Sequence, residues 1–325
     1  MPASIGVIFP GQGSQTPAMG ADVASRFAAA RDCYDRASAI LGYDLLKLCA
    51  HGSEEQLRET RVSQPAIFTT NVALYQAVRT LGLTPVVSGG HSFGEYCSLT
   101  IADAMTFEQA LELVNARALA MGRAADVEAG AMAAIIGFEE ARVADICARA
   151  SAQTGLSVEV ANLNAPAQIV VSGAAAAVRA AMEIAKAEDA KRVVGLNVSG
   201  AWHSRLMQPA VETFSREVEA ARLELPRFEV IGNVEAEPYR EVAQIKRCLI
   251  ASLRARVRWH ETALGITAFR PDFIVECGAL AVLSPMMRRL EQVAPDRVVQ
   301  VADSAGLDKL RSLAERAATQ SPSLG

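Results

Sequence analysis

The chain has 325 residues, 51% of them apolar, which suffices for one large domain with a smaller companion and a well-filled core. Its 32 basic and 36 acidic residues leave a net charge of −4, so nothing general points to nucleic acid or an anionic membrane as partner. Six scattered cysteines without a C-x-x-C pair, a start Met1-Pro2-Ala3-Ser4 unlike a signal peptide, and no apolar run near the roughly 18 residues of a membrane span lead us to expect reduced thiols in the cytoplasm.

Residues 5–9 form a short apolar run ending in Pro10-Gly11-Gln12-Gly13-Ser14-Gln15, the pattern of a buried parallel strand entering a glycine-rich loop. Such a loop can cradle phosphate. This one has neither the G-x-G-x-x-G spacing nor a P-loop lysine, which counts against nucleotide binding. Apolar positions recur at helical spacing over 21–41 and over 64–81, with Pro65 near a first turn, and both segments read as covering helices. Residues 86–90 read as a buried strand, and Thr106-Phe107-Glu108-Gln109 as a capping box opening a helix to about residue 125. On that helix the apolar stripe Phe107, Ala110, Val114, Met121 is interrupted, at the same spacing, by Arg117. An arginine on a core face has two readings. Either it snorkels past the rim or pairs with an internal carboxylate, or it waits, unable to lose its proton, for the bidentate grip of a substrate carboxylate.

Between 130 and 199 the pattern changes: strand 132–137, helix 139–151, strands 158–163 and 168–172, helix 174–187, strand 192–198. This βαββαβ order predicts a small ferredoxin-like subdomain inserted in a larger α/β domain whose strands lie on either side of it in sequence. The expected domains are 1–128 with 200–318 for the large one, 129–199 for the small one, and a polar, frayed tail at 319–325. After the insert come Gly200-Ala201-Trp202-His203-Ser204, a helix to about residue 221, a strand near 229–232, and an apolar strand at 273–276 ending in Cys277-Gly278.

Gly90-His91-Ser92-Phe93-Gly94 fits G-x-S-x-G, in which a strained strand-to-helix turn pushes a serine hydroxyl clear of the sheet and the next helix aims its N–H groups at whatever the serine attacks. A glycine-rich turn can be only a turn; the strand before and helix after favour a nucleophile. A serine hydroxyl needs a general base, usually histidine, and there are four. His91 adjoins Ser92 and should point away from it, His51 lies in a polar loop, and His260 follows Trp259 in an arginine-rich segment. His203 follows a strand and a small-residue turn. A solitary histidine is more often structural, so it is elimination that leaves His203 as the base. No acidic residue stands out to orient it, a part that a backbone carbonyl can take.

Together these residues resemble the malonyl-CoA:acyl carrier protein transacylase family, which includes the acyltransferase domains of polyketide synthases and their free-standing, trans-acting versions. The resemblance runs over nearly the whole chain, through residues 9–15, 90–96, Arg117, 130–134, Asn162-Leu163-Asn164-Ala165-Pro166, Ser199-Gly200-Ala201-Trp202-His203-Ser204 and Gly232-Asn233-Val234. It implies a hydrolase-like α/β domain with a ferredoxin-like insert and a ping-pong transfer, in which Ser92 takes the acyl group from coenzyme A and passes it to the phosphopantetheine thiol of an acyl carrier protein. His203 would be base and acid, Arg117 the clamp on the malonyl carboxylate, and the backbone N–H groups of Gln12 and Phe93 the oxyanion hole. Met121, Met132 and Trp202 would line the substrate pocket. The implied enzyme needs no metal or bound cofactor, and we expect a monomer in polyketide or fatty acid synthesis.

Three departures point to a specialised member. Ser252 stands where the family commonly has a glutamine whose main-chain carbonyl orients the histidine, a role that a carbonyl keeps whatever the side chain. Trp202 replaces the usual phenylalanine, and Gly278-Ala279-Leu280 replaces a glycine-proline-glycine turn. Lys246, Arg247, Arg254, Arg256 and Arg258 concentrate positive charge beside Ser252, either as a solvated helix end or as a steering surface for an acidic carrier. Three alternatives stand beside the malonyl transferase: a proofreading hydrolase of the same fold, a transferase for an unusual extender unit, and a non-catalytic carrier-docking module. Arg117 argues against the hydrolase, because a plain acyl chain offers a buried arginine no partner. An intact Ser92, His203 and Arg117 set argues against the docking module.

Overall fold

A computed structural model describes residues 2–320; the expected tail falls largely outside the described residues, at 321–325. Among the described residues nine strands follow in order: β1 (Ser4–Phe9), β2 (Thr84–Gly90), β3 (Gly130–Ile136), β4 (Val158–Ala165), β5 (Gln168–Ala174), β6 (Arg192–Gly195), β7 (Glu229–Ile231), β8 (Phe273–Cys277) and β9 (Val298–Val301). They build an α/β protein of two compact units, one comprising residues 2–114, 223–231 and 263–320, the other 115–222 and 232–262.

The first unit carries a five-stranded parallel sheet in the order β7-β2-β1-β8-β9. Parallel strands are covered on both faces, so they read as short continuous apolar runs, and β8 is buried at all five positions. β1 and β2 end together, Phe9 opposite Gly90, and β8 runs beside β1 with Glu276 opposite Ile8. Three loops therefore leave one carboxyl edge side by side, the edge where open α/β sheets bind their ligands. Two helices differ from expectation. The segment 21–41 is broken into Ala21–Arg26 and Ala28–Leu41 because Phe27 is extended, at φ −121°, and spends its N–H on the Val23 carbonyl to close the first helix. The helix expected from 64 starts a turn earlier, as Thr60–Arg79, so Pro65 lies in its second turn rather than its first.

The second unit carries a four-stranded antiparallel sheet in the order β4-β5-β3-β6, built by the expected succession strand, helix, two strands, helix, strand. Helices Glu140–Thr154 and Ala175–Ala187 bury Val143, Ile146, Ala177 and Val178 against Ala133, Ile135 and Val171 of the sheet. Beyond this sheet the unit takes in 115–129, 196–222 and 232–262. Val257 adds itself to β4, donating to the Ala161 carbonyl at 2.8 Å and accepting from the Leu163 N–H at 2.9 Å. The capping box at Thr106 and Gln109 forms in both directions, and the helix Phe107–Val127 follows it.

Candidate active site

In the parallel-sheet unit, Ser92 tops the turn after β2 with φ 54°, a left-handed conformation costing a non-glycine residue on the order of 1–2 kcal/mol. Four hydrogen bonds over-determine the turn: His91 N–H to the Phe9 carbonyl, Gly94 to His91, Glu95 to Ser92 and Tyr96 to Phe93, at 2.9 to 3.2 Å. At Gly90 a Cβ would strike the backbone of Gly94 and Glu95, so the elbow closes only around glycine. The helix Gly94–Ile101 starts directly after Phe93 and is buried throughout, which places its first N–H groups beside the serine.

The loop after β1 is fastened just as tightly. The Pro10 carbonyl accepts from Asn71 Nδ2 at 3.0 Å, the Gly11 carbonyl from Ser14 Oγ at 2.7 Å, and Thr60 Oγ1 from Gln12 Nε2 at 3.0 Å. Gly11 lies against the turn, where a Cβ would stand 3.5 Å from that of Ser92. The backbone bearing the Gln12 N–H thus runs past Ser92. Thiols are held protonated: burial pushes those of Cys33, Cys49 and Cys147 up to about 12 and raises Cys97 and Cys277 as well.

In the other unit, Arg117 is 1% exposed, so it does not snorkel past a rim, and Met121, Met132 and Trp202 are buried with it. His203 is buried and, like Ser92, left-handed, with φ 59°. Its Nδ1 lies 3.1 Å from the Ala255 carbonyl. A carbonyl only accepts, so this bond puts the proton on Nδ1 and the lone pair on Nε2. The expectation gave this part to Ser252. Ser252 closes the helix Val242–Ala251 instead, through its N–H to Cys248 and its hydroxyl to Leu249, and the carbonyl meeting the ring comes three residues later, where Val257 is stitched to β4. A backbone carbonyl carries no sequence signal, which is why Ala255 escapes a reading of residue types. Gly200 completes this loop: a Cβ there would stand 2.5 Å from Cη2 of Trp202 and 3.0 Å from Cβ of Ala125.

The basic segment is not a run of unopposed charge. Arg256 pairs with Glu140 and Arg258 with Glu261, whose carboxyl that guanidinium holds below its usual range, while Arg254 donates to Gln208 and Lys246 to the Glu219 carbonyl. Arg254, Arg256 and Arg258 line an open groove of about 1320 Å³ with the helix Glu140–Thr154 and β4. Among the described residues no cluster of His, Cys, Asp or Glu is placed to hold a metal ion, and no helix is long and apolar enough to cross a membrane.

Comparison with known proteins gives consistent results. The acyl transferase domain family matches residues 7–311. The malonyl CoA-acyl carrier protein transacylase of Bacillus subtilis is 37% identical over 290 residues, 89% of this chain and 91% of that protein. The solved malonyl CoA-acyl carrier protein transacylase of Coxiella burnetii superposes with a TM-score of 0.90 at 35% identity, covering 96% of this chain and 98% of that one. A malonyl-transacylase solved in complex with its type II polyketide synthase acyl-carrier protein gives 0.89 at 33% identity, covering 96% of this chain and all of that one.

Proposed function

Since the chain belongs to the acyl transferase domain family, we propose that it is a malonyl-CoA:acyl carrier protein transacylase working through a Ser92 acyl-enzyme. The parallel-sheet unit would be the hydrolase-like domain, and the βαββαβ sheet, with its first and third strands central, the ferredoxin-like insert.

In the first half-reaction the His203 Nε2 takes the proton from Ser92 as its oxygen attacks the malonyl thioester carbonyl. The oxyanion is met by the N–H groups of Gln12 and Phe93. The C–S bond then breaks, and His203 returns the proton to the departing coenzyme A thiolate. In the second half the phosphopantetheine thiol of the carrier protein gives its proton to His203, attacks the Ser92 ester, and leaves as malonyl-carrier with Ser92 reprotonated. Arg117 pairs with the free malonyl carboxylate, and Met121, Met132 and Trp202 wall the acyl chain. The chemistry asks for no metal or bound cofactor, and six cysteine thiols suit the reducing cytoplasm. Transfer into polyketide or fatty acid synthesis by a monomer completes the reading.

The observation that carries it is Ser92 held at φ 54° on the carboxyl edge of the parallel sheet, with the Gly11–Gln12 backbone beside it. Arg117, buried with Met121, Met132 and Trp202, suits the free carboxylate of a diacid, which the plain acyl groups that a proofreading hydrolase would clear do not carry. Intact-protein mass spectrometry after mixing with malonyl-, methylmalonyl- and acetyl-CoA should show malonyl added at Ser92 and discharged to holo-carrier protein. Release of free malonate with holo-carrier in excess would replace the transferase with the hydrolase.

A further inference from the structure

We propose that Glu276 is a positioning residue for the oxyanion loop, holding the turn at 278–284 against Pro10 so that the Gln12 N–H stands where charge develops. The inference rests on the part given to Gln12 above.

Glu276 is fully buried on β8, an expensive place for a carboxylate unless donors surround it. Its Oε1 accepts the N–H groups of Val282 and Leu283 at 2.9 and 2.8 Å, and its Oε2 that of Ser284 at 2.7 Å. Three charge-assisted bonds from consecutive residues fasten the far end of the turn to the strand from which the turn departs. The near end is Gly278, whose carbonyl accepts from Gln300 Nε2 at 3.1 Å. A Cβ at Gly278 would enter the Pro10 ring, within 2.8 Å of Cδ. Asn71 holds Pro10 through the proline carbonyl, and its own Oδ1 would lie 3.7 Å from that Cβ. Because Glu276 pairs with Ile8, the chains 277–278 and 9–10 leave the sheet as neighbours, and the position of one fixes the other. Gly278-Ala279-Leu280 contains no proline to stiffen it, so the carboxylate supplies the restraint.

Glu276→Gln keeps the shape but turns an amide NH₂ toward backbone N–H groups. The rate of Ser92 acylation by saturating malonyl-CoA, followed by intact mass, should fall about 10- to 100-fold, part of the loss seen when an oxyanion donor is removed outright. The KM for malonyl-CoA should stay within about twofold, since binding precedes any charge on the carbonyl. Gly278→Ala, pressing the same proline, should lower kcat in the same way. The double variant should fall no further than the worse single, because both act through one loop. Glu276→Asp, which keeps the charge but withdraws it by a methylene, carries the same kcat expectation if the glutamine variant proves too unstable to purify. An unchanged kcat in the folded variant, a loss confined to KM or thermal midpoint, or losses that multiply in the double variant would overturn the inference. Malonyl uptake by Ser92→Ala would instead overturn the underlying reading, so the two failures are distinct.

Discussion

The candidate residues of the parallel-sheet unit stand where regular elements end, and in the proposed reaction all but Ser92 would act through backbone atoms; those of the antiparallel-sheet unit would act through side chains. Gln12 and Phe93 offer N–H groups whose positions are set by strand ends and by hydrogen bonds such as Asn71 to Pro10 and Gly94 to His91. Arg117, Met121, Met132, Trp202 and His203 come instead from a helix interior, a strand and an irregular loop, and each is placed by burial. Backbone-built features resist side-chain drift and fail when the fold around them shifts. Side-chain-built features can be retuned one residue at a time, and substrate choice should therefore sit in the second unit.

Ser92→Ala is the hardest test on the first side, since it leaves the backbone intact and deletes the one side chain that unit contributes covalently. Acyl-enzyme formation should fall on the order of 10⁴- to 10⁶-fold, and malonyl label appearing at the wild-type rate would reject the assignment. On the second side, Arg117→Ala should cost about 2–5 kcal/mol in kcat/KM for malonyl-CoA while acetyl transfer holds steady or improves. Equal losses for both substrates would make this arginine structural. Trp202→Phe should shift the malonyl to methylmalonyl ratio by about 1–3 kcal/mol, the scale of one methyl-sized change, and an unaltered ratio would remove the residue from the pocket. The smallest effect is a control that should spare activity. Asp22 accepts from Ser304, both hydroxyl and N–H, and these bonds together with Arg26 hold its carboxyl below 3.8. A lowered folded value means the contribution is present above about pH 4 and is lost as pH falls through that lowered value. Asp22→Asn should erase it, a few tenths of a kcal/mol once solvent screening is allowed for, seen as a thermal midpoint that no longer drops as far between about pH 5 and pH 2.

Much of this division is legible in the residues themselves. The elbow is local, with strand, glycines and helix start adjacent in sequence, so Ser92 and its setting can be read directly. The alternation of strands and helices over 130–195 likewise yields the antiparallel sheet. What escapes depends on contacts distant in sequence. β9 is a four-residue run, Val298–Val301, too short for periodicity and identifiable only because it pairs with β8. The tautomer of His203 depends on the Ala255 carbonyl, set by Val257 joining β4 about a hundred residues earlier in the chain, and Phe27 breaks a helix whose apolar spacing continues across it. Arg117 is visible as an anomaly, yet spacing alone does not separate a substrate clamp from an internal pair.

The contact between Gly200 and the Trp202 ring also orders history. Gly200 is not among the residues of positive φ, so its lack of a side chain answers to space, and that space is filled chiefly by tryptophan. While the indole remains, almost any replacement at 200 is rejected; once a smaller ring arrives at 202, only the 3.0 Å approach to Ala125 Cβ still resists, and a small side chain at 200 becomes tolerable. A descendant that has done both can no longer regain tryptophan by a single change. Two neighbouring residues thus form a ratchet, and relaxing selectivity here would be easier for a lineage to begin than to undo.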